Sequence, residues 1–255
     1  MIDAIILKFI GHPQSGWIDL KEEQTTRIDY LYKLTTAKAV TQSITLIPGE
    51  TTVVFLEQMA QQLNLNVKKL KEAYTKMATE PEGMFVPETY SIPKEINEER
   101  LISFLLDQSA QKHIAMSTKL LGSYNEAKWL HLVTLASVIQ KEAASVEDMP
   151  MVSSVIKNRL AKNMRLQMDG TLNYGKYSHQ KVTAARIRSD KTTYNTYKHR
   201  GLPEHAVCNV SYAALDAAIN PKNTDYLYFV RGKNGEHIYS SYFSTHHKNI
   251  LNATK

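Results

Sequence analysis

Apolar residues recur at helical spacing along most of the chain, most densely between Trp129 and Ala144. There Trp129, Leu132, Val133, Ala136, Ile139 and Ala143 mark one face, while Leu130, Leu135 and Val138 fill the other. A helix apolar on nearly every side belongs inside a domain. It ends in Gln140-Lys141-Glu142, and Glu142 lies one turn beyond Val138 and Ile139. Its carboxylate is therefore expected to project from the same surface as those side chains, with Lys141 pointing elsewhere into solvent. A turn over Ser145–Met149, with Pro150 at a first-turn position, leads into a second amphipathic helix through Val152, Val155, Ile156 and Leu160. Two packed helices on a short turn put Glu142 at a corner that a cleft can reach.

Upstream the pattern is more varied. Met1–Ile10 is a short apolar run interrupted by Asp3 and Lys8, read as a helix or strand of the fold rather than a signal peptide. A turn over Gly11–Gly16 precedes a short strand candidate, Trp17–Leu20, and Ile28–Leu34 reads as a short helix. Ser43–Ile47 is a β-rich run closed by Pro48-Gly49. A helix follows, capped by Thr51 or Thr52 and marked by Val53, Leu56, Ala60 and Leu63. A second runs through Val67, Leu70, Ala73, Tyr74 and Met77, and the chain returns as a strand near Met84–Tyr90. These elements make a small βααβ unit. Pro87 and Pro93 bracket an irregular connection, so the boundary falls near residue 95, giving domains over 1–95 and 96–255. The second opens with an amphipathic helix over Glu98–His113, with Leu101, Ile102, Leu105 and Leu106 inward.

Beyond Leu160 the chain turns irregular and polar. Gln167, Asp169, Thr171, Asn173 and Tyr174 cluster, as do Thr192, Thr193, Tyr194, Asn195, Thr196 and Tyr197. Hydroxyls, amides and aromatic faces suit a sugar, which offers hydroxyls to bond and an apolar face to stack. Local turn-forming bonds are the plainer account of some of them.

Composition narrows the classes. The 255 residues are 43% hydrophobic and 22% charged, an ordinary globular balance with material for a real core. A net charge of +6 favours anionic partners, yet the basic residues are scattered rather than gathered, and no nucleic-acid role is expected. Cys208 is the only cysteine, which rules out an intrachain disulfide and a thiolate metal site. The nine histidines show no metal-ligand spacing and no Walker or dinucleotide glycine pattern exists, so neither metal nor cofactor is expected. No apolar run reaches the roughly 18 residues of a membrane span. Ser137 lies mid-helix, a poor place for a nucleophile.

That leaves Glu142. An acid on an apolar surface is poorly hydrated, and the negative end of a helix disfavours its charged form as well, so its pKa is expected to rise toward the range of a general acid. A glutamate merely exposed at a frayed end is the bland alternative. Asp169 is the second carboxylate that a two-acid glycosidase would need.

In order and spacing, several stretches resemble the YceG-like endolytic murein transglycosylases: Ala136 to Glu142, Val155 to Leu160, Met164 to Asp169, Tyr194 to Tyr197 and Gly201-Leu202-Pro203. Pro81 to Phe85, Pro87 to Tyr90, Tyr226 to Val230 and His246 extend the likeness over most of the chain. The resemblance implies an α+β fold: a small LysM-like βααβ domain, either glycan-gripping or a structural prop, followed by a mixed α/β catalytic domain. As a sugar platform in the former, only Tyr74, Phe85 and Tyr90 stand out. It implies non-hydrolytic cleavage between N-acetylmuramic acid and N-acetylglucosamine, with Glu142 as acid and then base, leaving 1,6-anhydro ends. Gln167 and Asp169 would hold the sugar, Tyr174, Tyr194, Asn195 and Tyr197 would line subsites, and His246 would make a sugar or supporting contact. The implied partners are peptidoglycan strands and peptidoglycan synthases, the penicillin-binding proteins. The implied location is the bacterial inner membrane, facing the periplasm, through an N-terminal helix that this chain is expected to lack. Four positions depart from the family's habit, Gly170, Glu204, Val210 and Thr245, all expected in loops; Gln140 replaces the first acid of its Glu-Lys-Glu segment. A non-catalytic glycan-binding scaffold and a muramidase using Glu142 with Asp169 stay open as alternatives.

Overall fold

In a computed structural model, residues 2–12, 24–36 and 40–254 are described; the strand candidate at Trp17–Leu20 and most of the turn before it fall outside them. The first apolar run is helical (α1, Ile2–Ile10) and packs on α2 (Arg27–Thr36), with Arg27 Nε donating to Asp3 Oδ1 at 2.7 Å.

The βααβ order is present. Strand β1 (Thr41–Thr45) pairs antiparallel with β2 (Thr89–Pro93), Ile44 facing Tyr90, and between them run α3 (Thr52–Leu63) and α4 (Val67–Met77). The return strand starts later than the Met84–Tyr90 pattern predicts. The N–H groups of Phe85 and Val86 go instead to Asn209 Oδ1 (3.1 Å) and Ser109 Oγ (3.2 Å), which holds this stretch off the ladder. Ile44, Phe55, Leu56, Leu70, Phe85 and Tyr90 form the unit's core. Tyr74, Phe85 and Tyr90 are 5%, 0% and 1% exposed, so none offers a ring face to a sugar.

Thr51 stands at the N-cap of α3 but does not cap it with its side chain; its hydroxyl donates to the Gly175 carbonyl at 2.8 Å. The cap comes from a distant residue. Buried Glu82 accepts the Thr52 N–H at 3.0 Å and the Thr52 hydroxyl at 2.6 Å, satisfying donors that every helix start leaves open.

Helix α5 (Glu98–Leu121) runs about two turns past His113 before Gly122, at φ +78°, closes it. His113 is no terminus because it is spoken for inside: its Nδ1 accepts the Trp129 indole N–H at 3.0 Å and its Nε2 meets the Met84 carbonyl at 3.2 Å. The first half of α5 puts Leu101, Ile102 and Leu105 into the core of the βααβ unit. Its second half lays Met116 and Leu120 on the next core.

That second core belongs to α6 (Glu126–Glu142), α7 (Met149–Ala161) and, past a short α8 (Ala184–Ser189), α9 (Tyr212–Ile219). Trp129, Ala136, Ile139, Val152, Ile156 and Leu215 are all buried there. A hairpin, β3 (Tyr228–Arg231) with β4 (His237–Ser240), and the final helix α10 (Phe243–Thr254) close over one end. The two cores meet at Asn209. It exchanges backbone bonds with Gly49 and Glu50 in the β1–α3 loop while its side chain holds Phe85. Among the described residues no helix is long and apolar enough to cross a membrane.

Candidate active site

The last turn of α6 gives three successive residues three different surroundings. Gln140 Oε1 accepts the N–H and hydroxyl of Ser211, at 3.1 and 2.7 Å, at the start of α9. Lys141 is not merely solvated: Nζ donates to Ser178 Oγ at 2.9 Å, which in turn donates to the buried carboxylate of Glu50. Glu142 alone turns into a cavity of about 510 Å³ between the helix pair, the 166–169 segment, the hairpin and α10. The helix stops there because Ala143 is extended and the next N–H, of Ala144, is taken at 2.9 Å by Asp148.

Glu142 is half-buried, and its Oε1 accepts the Gly170 N–H at 2.6 Å. Burial lifts its pKa to about 7; the Gly170 hydrogen bond opposes that, Asp169 adds to it, and the neighbouring His237 and Arg159 oppose it. The carboxyl is thus poised to give a proton near neutrality and to carry the charge afterwards. Gly170 is there for lack of room. A Cβ at that position would stand 2.7 Å from Lys141 Cβ and 2.8 Å from Glu142 Oε1. Gly170 therefore sits not in a loose loop but in a 3-10 turn (Asp169–Leu172) against the Glu142 carboxylate, and Thr245 likewise lies within α10.

The segment before it alternates, with Leu166 and Met168 buried and Gln167 and Asp169 exposed toward the cavity. Gln167 adopts the left-handed backbone, φ +50°, and its N–H bonds the Thr196 carbonyl at 3.2 Å, while the Met168 N–H bonds Thr196 Oγ1 at 3.1 Å. Arg159, nearly buried, donates from Nε to Leu227 O and from Nη1 to Leu166 O, both at 2.6 Å, and stacks on Tyr228. It ties the segment and the hairpin to α7.

Of the residues expected to contact substrate, Glu142, Gln167, Asp169, Tyr197 and His246 share this cavity; Tyr174, Tyr194 and Asn195 do not line it. Tyr197 donates its hydroxyl to Asp169 Oδ1 at 2.7 Å. His246 stacks on Tyr228 with centroids 5.1 Å apart; burial lowers its pKa, and its Nδ1 is buried with no hydrogen-bond partner among the described residues. Asn195 is wholly buried. Its amide donates to Ile187 O and Asp190 O at 2.8 and 2.9 Å and its oxygen accepts the Tyr197 N–H, so it shapes the loop that carries Tyr197 rather than facing the groove. Tyr174 and Tyr194 stack face to face at 4.2 Å, with the Tyr174 hydroxyl on Asp190, and burial pushes the Tyr194 hydroxyl up to about 12.

The cavity also holds residues to which sequence reasoning gave no role: Arg159, Tyr228, His237 and Phe243. The first two lay inside motifs already singled out. His237 carries no sequence signal beyond following a Gly-Lys-Asn-Gly turn. It sits at the start of β4, where Nδ1 bonds Asp148 Oδ2 at 2.7 Å, and Tyr239 donates to the other oxygen at 2.5 Å. Burial alone would raise the Asp148 carboxyl; the bonds from His237, Tyr239 and Ala144 outweigh it and hold it below the ordinary carboxylate range. No cluster of three or more His, Cys, Asp or Glu among the described residues is arranged to hold a metal ion.

The chain is similar to several known proteins. An endolytic murein transglycosylase of Bacillus subtilis is 37% identical over 117 residues, 46% of this chain and 32% of its own length. One from Streptococcus pneumoniae is 31% identical over 175 residues, 66% of this chain and 31% of its own. The chain thus spans about a third of the length of these curated relatives. A crystal structure of a YceG-like protein from Listeria monocytogenes superposes with a TM-score of 0.67 at 25% identity, covering 97% of this chain and 89% of that one. The sequence profile of the YceG-like family matches residues 4–252, and the chain belongs to that family.

Proposed function

We propose that this chain is the catalytic part of an endolytic murein lytic transglycosylase, cutting glycan strands between N-acetylmuramic acid and N-acetylglucosamine without consuming water. The observation that carries the reading is a half-buried Glu142, with a pKa raised to about 7, facing a cavity rimmed by hydrogen-bonding and aromatic side chains. The names of the relatives point the same way.

Protonated Glu142 gives its proton to the glycosidic oxygen, and positive charge develops at the sugar's anomeric carbon. The muramic C6 hydroxyl closes on that carbon, forming a 1,6-anhydro ring, and the Glu142 carboxylate recovers the proton that the hydroxyl releases. Gln167, Asp169, Tyr197 and His246 hold the sugar. Tyr174, Tyr194 and Asn195 support the loop and the outer edge of the groove. Because Glu142 must start protonated, activity falls as pH rises through about 7.

Residues 1–95 form a LysM-like unit in this reading and 96–255 the catalytic part. The whole protein acts on nascent strands at the bacterial inner membrane, on the periplasmic side, beside peptidoglycan synthases of the penicillin-binding class. Digestion of purified sacculi tests the core of it: wild type releases anhydro-muropeptides and Glu142→Gln releases none. Reducing ends would instead mark a two-carboxylate muramidase using Asp169, and no products from folded wild type would mark a glycan-binding scaffold.

A further inference from the structure

Resting on that reading, we propose that His237, oriented by Asp148, is a second catalytic residue: it takes the proton from the attacking sugar hydroxyl and passes it to Glu142. Three observations carry it. The His237 side chain is 7% exposed, yet it lines the cavity that Glu142 faces. Its Nδ1 faces the Asp148 carboxylate, which can only accept, so in the neutral ring Nδ1 carries the hydrogen and Nε2 presents a lone pair. Nε2 makes no hydrogen bond among the described residues and is not fully enclosed, so it stays reachable from the cavity, where a hydroxyl would arrive.

Asp148 is built for the purpose of orientation. Besides His237 it holds the Tyr239 hydroxyl and the Ala144 N–H, and so locks the hairpin to the end of the helix that supplies the acid. A carboxylate that fixes the tautomer of an imidazole is how a histidine is made an effective base at neutral pH. The ring is steadied by Phe229, with centroids 4.7 Å apart. Other charged or titratable groups around the pair are Arg159 from α7, Asp169 and Tyr197 from the two loops, Arg231 from β3, and His246 from α10.

The proton count closes. Glu142 protonates the leaving oxygen as the bond from the anomeric carbon to it breaks. The C6 oxygen bonds the anomeric carbon, and its hydrogen passes to His237 Nε2. The imidazolium, neutralised by Asp148, returns that hydrogen to the Glu142 carboxylate, and both residues end as they began.

The test is the pH–rate profile of anhydro-end formation by wild type and by His237→Gln. Wild type requires His237 neutral and Glu142 protonated, so its rate falls on both the acid and the alkaline side. In His237→Gln the rate drops by about 10²–10⁴-fold and the acid limb disappears while the alkaline limb stays. A folded variant with an unchanged rate, or a slower one that keeps both limbs in place, overturns the proposal. Should the variant not fold, nitrogen-15 NMR of wild type decides: a neutral His237 carrying its hydrogen on Nε2 overturns the relay, and one carrying it on Nδ1 sustains it. Failure of the underlying reading looks different, as reducing ends from wild type or full activity in Glu142→Gln.

Discussion

Two glutamates in this molecule share a perturbation and differ in what they do with it. Glu82 and Glu142 are both lifted by burial to a pKa of about 7. Glu82 spends its oxygens on the Thr52 N–H and hydroxyl and on the Gly83 N–H, all at 2.6–3.1 Å, and lines none of the cavity around Glu142. Glu142 accepts one backbone N–H and leaves its remaining valence toward about 510 Å³ of open space. A shifted carboxyl marks a reactive site only when there is room beside it for something to react. One is a cap that happens to be an acid; the other is an acid held by a cap-like bond.

The comparison can be broken most sharply by exchanging each acid for its amide. Glu142→Gln should lower turnover of sacculi by at least about 10³-fold, with the melting temperature nearly unchanged, because the amide keeps the shape and loses the proton. Glu82→Gln should leave activity per folded molecule intact. If Glu82→Gln were the inactive one, the division of labour proposed for the pair would be wrong. Next in size is Gly170→Ala, in which the new methyl pushes on Glu142 Oε1 and displaces the carboxylate; a loss of about 10²-fold in kcat is expected, read with the same assay. An unaltered rate would mean the carboxylate need not stand where the Gly170 N–H holds it.

Stability sharpens the other half. Glu82→Gln should cost about 1–3 kcal/mol at low pH by chemical denaturation, since the amide nitrogen would stand where Oε2 shares the Thr52 N–H and would face a donor with a donor. The pH dependence follows from linkage. The folded pKa of Glu82, about 7, lies above its ordinary 4.5, so the folded state holds the proton more tightly. Its contribution is greatest below pH 4.5 and declines as pH rises toward 7, by about 3 kcal/mol at most. The variant lacks this decline, so the gap between the two proteins should narrow or reverse across that interval; parallel curves would show that Glu82 is not the titrating group.

Much of this was legible in the chain. The apolar periodicity of Trp129–Ile139 located the buried helix, and its end located the acid, because helical spacing alone carries Glu142 onto the face of Val138 and Ile139. The polar cluster after Leu160 likewise brought forward Gln167 and Asp169, and both line the cavity. What stayed hidden depends on contacts distant in sequence. Nothing near Asn195 says that its amide will be used up by Ile187 and Asp190, and nothing near Thr52 says that a cap will come from residue 82. His237 meets Asp148 across 89 positions, a pairing that only the hairpin's docking creates.

The long α5 helix carries a consequence for how the molecule can be divided or recombined. At roughly 1.5 Å per residue it is a rod of about 36 Å, one half sealed into the βααβ core and the other laid against the helices behind Glu142. Cutting after residue 95 would strip Leu101, Ile102 and Leu105 from the first core and leave an oily gap. A transplant of the N-terminal unit onto another enzyme would have to bring the rod along. The two halves are therefore built as one block, and a clean division between them has to carry the joint along with one of the parts.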